Sequence, residues 1–506
     1  MKKIIEKIRQ DKLNVLHIAI IIIGIIFVSI PIFHKHLWFD ESYTVGIVSK
    51  SFIDIWKIGS NDVHPVLYYW ILHLFYLIFG SNIYVYRILS MLPIAILGNL
   101  GYTHIKKDFG KKVGLLFSFF VFFLPINSVY SGEVRMYTWA MLFVTIMAIY
   151  AYRIYNQIKQ ENESKVKKWI IFATFSLASA YTHYYGLATA GVVNALLFVY
   201  ILIKTIKTHN KRELIKFSIS AVIQILLYLP WLWALLSQVK GVSKGFWIQK
   251  PTIDLWLQIF RFQFSGNLDV DFISNNIATA IGLVIIIYTI ITLIKMIKKE
   301  SIKPGIFAIS IYAIVTLAIF AISLKVPILY ARYFLNLTGL FIFFISFFIG
   351  KGGWKYLNIL VCVITLIVAI MVNMNVTKMN YASNNYEPLE FIKKDLEEND
   401  LIFFGNEGSG FVISMQLIDN PNCFYDKNHW NVEPAYKAFG EDMLTIKTLD
   451  AMDNYEGRIW IINSDHYSIY DEFKQRYGED VELIRQEKFY TDYHWYTYSA
   501  TLIKKH

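Results

Sequence analysis

Apolar runs close to twenty residues long recur along the first three quarters of this 506-residue sequence, and few architectures accommodate them. A helix rises ~1.5 Å per residue, so about 20 apolar residues cross the hydrocarbon of a bilayer. Eleven spans are expected near residues 14–33, 83–105, 113–130, 135–152, 169–184, 187–203, 217–236, 277–294, 304–324, 333–350 and 356–375. Only 17% of the residues are charged, against about 25% in ordinary soluble domains. The sequence therefore describes a polytopic α-helical membrane protein with the bilayer as its partner. Its net charge of +11 calls for no nucleic acid, because cytoplasmic loops of membrane proteins collect Lys and Arg.

Charge asymmetry orients the chain. With the N-terminus inside, the inner segments carry 25 Lys and Arg in 63 residues, and the outer segments carry 10 in 105. The positive-inside rule then makes the N-terminus cytoplasmic, and an odd number of spans puts residues 376–506 outside. The basic N-terminus and first apolar run lack a small-residue cleavage site before Pro31 and read as an uncleaved signal anchor in the cell membrane. Cys362 and Cys423 fall in different layers, which excludes a disulfide framework and a cysteine-based zinc site.

The stretch PVLYYWILHLFYLIFG (65–80) has sixteen residues, ~24 Å as a helix. Counting it as a span would place KKDFGKK (106–112) and its four lysines outside. A helix lying at the outer interface keeps that loop inside, and Tyr68, Tyr69, Trp70 and Tyr76 suit such a position. In the long outer loop 237–276, IDLWLQIFRFQF (253–264) reads as a second interfacial or re-entrant helix carrying Arg261. A lid packed on the bilayer surface explains it at least as well as a direct binding role does.

The composition divides the chain into a membrane domain, 1–375, with a large first outer loop at 34–82, and a small α/β domain, 376–506. In the latter, 401–405, 458–463, 481–486 and 498–503 read as strands, and 387–398 and 467–478 show helical spacing. GNEGSG (405–410) follows a strand but matches neither phosphate-loop nor dinucleotide spacing, so a glycine-rich turn is the simpler reading.

Ionisable groups at membrane depth are functional suspects. Those expected near the outer face are Asp40, Glu41, His64, Arg87, Glu133, Arg135, His183 and Arg332. Arginine pairs bidentately with phosphate, and a carboxylate can take a proton from a hydroxyl. In SGEVRMYTW (131–139), Arg135 and Tyr137 suit a phosphate, with Glu133 orienting the arginine; a snorkelling arginine among headgroups is the competing reading. His183 in YTHYYG (181–186) suits either the site or a packing role. Asp62 and His64 precede Pro65, where Asp62 suits a helix cap. Asp40 and Glu41, in HKHLWFDESYT (34–44), read as a solvated loop, a helix cap or a catalytic pair. A divalent cation between Asp40, Glu41 and His64 has support from ligand types alone.

These stretches, in this order, resemble the GT-C superfamily of membrane glycosyltransferases, in the bacterial branch related to protein O-mannosyltransferases and lipid A aminoarabinose transferases. The resemblance covers roughly residues 14–350. It is carried by WFDES after the first span, HPVLYYW, VYRILS, SGEVRMYTWAML and YTHYYGL. It departs from the common pattern at Val66, where a second proline often follows HP. It implies that Asp40 is the catalytic carboxylate with Glu41 beside it. It also implies a sugar donor on a polyprenyl phosphate, with the arginines near that phosphate. Residues 376–506 fall outside it, which leaves the acceptor open among glycan, lipid and protein.

The chemistry of the residues agrees with this. Cations stabilise a leaving phosphate, while Asp40 deprotonates an acceptor hydroxyl that attacks the anomeric carbon from the opposite face and inverts it. A covalent route with Asp40 as nucleophile is the other variant. Three further classes remain: a polymerase or ligase of diphosphate-linked oligosaccharides, a transporter or flippase, and an anchor displaying the outer domain. Transporters place their sites near mid-bilayer in repeated halves, and no repeat is visible here.

Overall fold

Long apolar helices dominate the computed structural model because backbone groups in hydrocarbon must be satisfied within the segment itself. It describes residues 12–244, 248, 250–265, 272–299, 302–405, 408–427, 436–440, 443–464 and 468–506. Among them, nine helices are long and apolar enough to cross a membrane. Of the eleven expected spans, 113–130 breaks into helices Lys111–Phe123 and Pro125–Tyr130. Pro125 lacks an amide hydrogen and forces Leu124 into an extended conformation (φ −71°, ψ 123°), so the helix stops there. The expected span 169–184 is helix Val166–Thr182, which ends at His183 after seventeen residues. The stretch at 65–80 forms helix Leu67–Phe79, thirteen residues or ~20 Å long, shorter than the nine.

Two compact units divide the chain. The first comprises residues 1–32, 63–68 and 87–376. Helix Leu335–Gly352 runs through its centre and is buried along almost its whole length, unlike the helix starting at Arg212. The latter exposes Ile219, Val222, Leu226 and Leu229, as a lipid-facing helix does. Close approach between helices rests on small residues; Gly24 and Gly98 both abut Phe122, where a Cβ would lie within 2.2 Å of the ring. Helix Ile253–Ser265, expected to be interfacial or re-entrant, packs in this unit, with Phe262 5.4 Å from Tyr130 and Gln263 accepting from Thr338 at 2.9 Å.

The second unit comprises 33–62, 69–86 and 377–506. The compositional break at 375/376 lies one residue from its boundary, but most of the first outer loop belongs to this unit too. Its six strands, β1 Leu401–Phe404, β2 Asn422–Tyr425, β3 Leu444–Ile446, β4 Gly457–Asn463, β5 Val481–Tyr490 and β6 Thr497–Lys505, are ordered β3-β2-β1-β4-β6-β5. β3, β2, β1 and β4 pair in parallel; β6 is antiparallel to both β4 and β5. Leu401, Phe403, Cys423, Ile459, Ile461 and Phe473 fill the core on one face. Strands β2 and β3 were not anticipated, since four and three residues are too short for alternation to register. Residues 406 and 407 of GNEGSG lie outside the described residues; Gly408 opens helix Gly408–Gln416.

The acidic stretch packs into this second unit. Helix Phe39–Val48 lies against helix Gly408–Gln416, with Phe39 5.5 Å from Phe411 and 5.4 Å from Phe439 between ring centroids. Gly46 permits the approach: a Cβ there would sit 1.9 Å from the Ala438 carbonyl oxygen.

Candidate active site

The first unit gathers cations and aromatic rings from four segments. The turn before helix Tyr137–Lys159 is held by Arg87, whose Nη1 donates to the Gly132 carbonyl at 2.8 Å, and by Ser131, which donates to the Val28 carbonyl at 3.0 Å. Thr138 and Trp139 donate to the Ser90 and Leu89 carbonyls at 2.7 and 3.1 Å. These bonds fix the start of the helix, and with it Arg135 and Tyr137, both buried. Arg87 is itself 1% exposed and braces that turn through its guanidinium.

His183 is an extended residue (φ −157°, ψ 144°) between two helices. Its Nδ1 accepts the Tyr185 backbone N–H at 3.0 Å. The proton of the neutral ring therefore sits on Nε2, which is buried and has no hydrogen-bond partner among the described residues. Ring centroids of His64, Tyr137 and Tyr333 lie 5.7, 5.9 and 4.9 Å from that of His183. The Arg332 guanidinium is 6.0 Å from the Tyr137 ring. His64 is held well below the ordinary histidine range by burial first, then by the charges of Arg135, His183 and Arg332. Tyr130, 5.9 Å from Tyr137, feels the charges of both Glu133 and Arg332. His64, Glu133, Arg135, Tyr137, His183 and Arg332 thus converge. Two guanidiniums among histidines and phenols, with one carboxylate nearby, are the kinds of group that can pair with an anion.

Asp40 and Glu41 are carried by the second unit, in the first turn of helix Phe39–Val48. Negative side chains favour that position, so the helix dipole accounts for part of the acidic pair. The N-cap, Trp38, makes no side-chain capping bond. Asp40 is half-buried, whereas Glu41 is fully buried and its Oε2 accepts from the Tyr493 hydroxyl at 2.8 Å. The same strand-connecting turn supplies two further contacts. The Tyr496 hydroxyl accepts the Phe39 backbone N–H at 3.1 Å, and His494 stacks on Trp38 at 4.2 Å and 6°. Between them, His494 and Trp495 have φ of 56° and 51°, a left-handed pair that costs about 1–2 kcal/mol per residue without glycine.

Sequence reasoning missed Tyr493, His494 and Tyr496. The signal was present as an unbroken aromatic-rich run, YTDYHWYTY (490–498), beyond the stretch that carried the resemblance. Among the described residues, no group of three or more His, Cys, Asp or Glu is placed to hold a metal ion.

Residues 63–233 match the family described as dolichyl-phosphate-mannose-protein mannosyltransferase. That stretch contains His64, Arg87, Glu133, Arg135, Tyr137 and His183. The fold matches a crystal structure of ArnT from Cupriavidus metallidurans in the apo state, with TM-score 0.63 and 10% identity over 96% of this chain and 97% of that one. The chain has the GT-C fold. A second ArnT structure from that organism, bound to undecaprenyl phosphate, gives TM-score 0.60 and 11% identity over the same shares. The sequence matches no curated protein. Because the likeness spans 96% of the chain, the GT-C fold here takes in the sheet-bearing second unit, which the sequence motifs had left outside.

Proposed function

We propose that this GT-C protein is a membrane glycosyltransferase that moves a sugar from a polyprenyl-phosphate donor to an acceptor hydroxyl, with inversion and with Asp40 as the base. The observation that carries this reading is the buried convergence of Arg135 and Arg332 with His64, Tyr137 and His183. Such a site suits a phosphate that gains charge as its bond to the sugar breaks. The ArnT structure bound to undecaprenyl phosphate supports a lipid-linked donor, and the positive-inside count supports an outer-face reaction with the N-terminus cytoplasmic and the sheet extracytoplasmic.

In the transfer step, the acceptor hydroxyl gives its proton to the Asp40 carboxylate as its oxygen bonds to the anomeric carbon. The carbon–oxygen bond to the donor phosphate breaks, and the electron pair leaves on phosphate oxygen, where the guanidiniums offset the new charge. Glu133 orients Arg135, Arg87 fixes the turn that carries it, and the neutral imidazole of His183 offers its Nε2 proton to a phosphate or sugar oxygen. The acceptor is a glycan, lipid or protein hydroxyl.

The test is a membrane assay with a panel of polyprenyl-monophosphate sugars. Wild type transfers one of them, and Asp40→Asn loses about 10²–10⁴-fold in rate, the usual contribution of a general base, while melting at the wild-type temperature. Full activity of Asp40→Asn removes it from the mechanism. Transfer only from diphosphate-linked glycans replaces this reading with the polymerase or ligase.

A further inference from the structure

We infer that the β5–β6 turn, Tyr493 to Tyr496, is a clamp that sets the position of the Asp40 carboxylate, with Tyr493 and Glu41 as positioning residues. The inference rests on the reading of Asp40 as the base. Three residues of the acidic stretch are held by one turn: Trp38 by the stacked His494, Phe39 by the Tyr496 hydroxyl, and Glu41 by the Tyr493 hydroxyl. Asp40 lies between the last two, so the clamp fixes the chain on both sides of it.

The turn is itself braced. Asn385 Oδ1 accepts the Tyr493 backbone N–H at 2.8 Å, and Asn384 donates to Asp492 at 3.0 Å. The Tyr493 ring is buried, 4.9 Å from the His34 ring and 4.7 Å from that of His494. It borders a cavity of ≈ 200 Å³ that Lys35, His36, Tyr386 and Tyr496 also line, and its hydroxyl is bonded to Glu41. Strain points the same way: two adjacent non-glycine residues keep left-handed backbones at the tip, and such conformations persist where surrounding structure over-determines them. The arrangement keeps His494 and Trp495 side chains at positions that a plain tight turn would fill with Asn-Gly.

The experiment compares kcat, KM for the donor and melting temperature in full-length protein. Tyr493→Phe, which keeps the ring, is expected to lower kcat about 10–100-fold, the scale of a misplaced catalytic group, with donor KM within twofold. Glu41→Gln keeps an acceptor oxygen for Tyr493 and retains most of kcat, whereas Glu41→Ala matches Tyr493→Phe. The double variant Tyr493→Phe/Glu41→Ala loses no more than either alone, as residues acting through one contact do. Should Tyr493→Phe fail to fold, Tyr496→Phe, which removes the acceptor for the Phe39 amide, is expected to show the same kcat loss. Wild-type kcat in both tyrosine variants, with Asp40→Asn inactive, overturns the clamp alone. Activity in Asp40→Asn overturns the base assignment on which it rests.

Discussion

The Tyr493 hydroxyl donates a 2.8 Å hydrogen bond to Glu41, 452 residues earlier in the chain. A buried carboxylate without a partner is costly, and here its partner comes from a turn near the end of the sheet. The acidic stretch and the C-terminal strands belong to one compact unit, and truncating the chain at the composition break near residue 376 would remove the Tyr493 donor from Glu41.

The proposed phosphate site makes a direct prediction. Arg135→Ala and Arg332→Ala each remove a guanidinium from the cluster around Tyr137 and His183. Each is expected to lower kcat about 10²–10³-fold, as loss of one group stabilising transition-state charge does. Arg135→Lys recovers part of the rate, because an ammonium keeps the charge but not the bidentate geometry. Steady-state rates with a polyprenyl-monophosphate sugar check this, and unchanged rates in both alanine variants remove the phosphate role.

His64 predicts a pH dependence of stability. Burial, then Arg135, His183 and Arg332, hold its folded pKa well below the ordinary 6.5, while in the unfolded chain it titrates near that value. Above about pH 6.5 both states are neutral and the group is silent. As pH falls below that, only the unfolded state gains the proton, so stability drops by about 1.4 kcal/mol per pH unit until the folded pKa is reached. Melting of wild type and His64→Gln between pH 7.5 and 5 tests this; the variant should show the shallower acid slope, and parallel slopes refute it.

Gly46 predicts a packing defect. Any Cβ there meets the Ala438 carbonyl oxygen at 1.9 Å, and a backbone atom cannot swing away as a side chain does. Gly46→Ala should destabilise the second unit by about 1–3 kcal/mol, the usual cost of overpacking, seen as a lowered melting midpoint. An unchanged midpoint would mean that helix Phe39–Val48 does not approach so closely.

The orientation is testable by accessibility. A cysteine introduced at Lys106 or Lys111 should resist an impermeant thiol reagent added outside intact cells, while one at Lys488, on β5, should react. Outside labelling at Lys106 reverses the proposed topology.

Residue order is enough to establish a bundle of apolar helices with an α/β appendage. Hydrophobic length and the positive charge of short loops are local properties that survive without tertiary information. Four of six strands were legible for the same reason. Arg135, Tyr137, His183 and Arg332 also stood out, since ionisable and phenolic groups beside apolar runs are conspicuous. Other features arise only on folding. Pro125 split one expected span, and the convergence of His64, Arg135, His183 and Arg332 needed the packing of four separated segments. Whether Glu41 faced water or a partner was invisible in HKHLWFDESYT, because its donor lies 452 residues away, and no local pattern encodes a contact of that range.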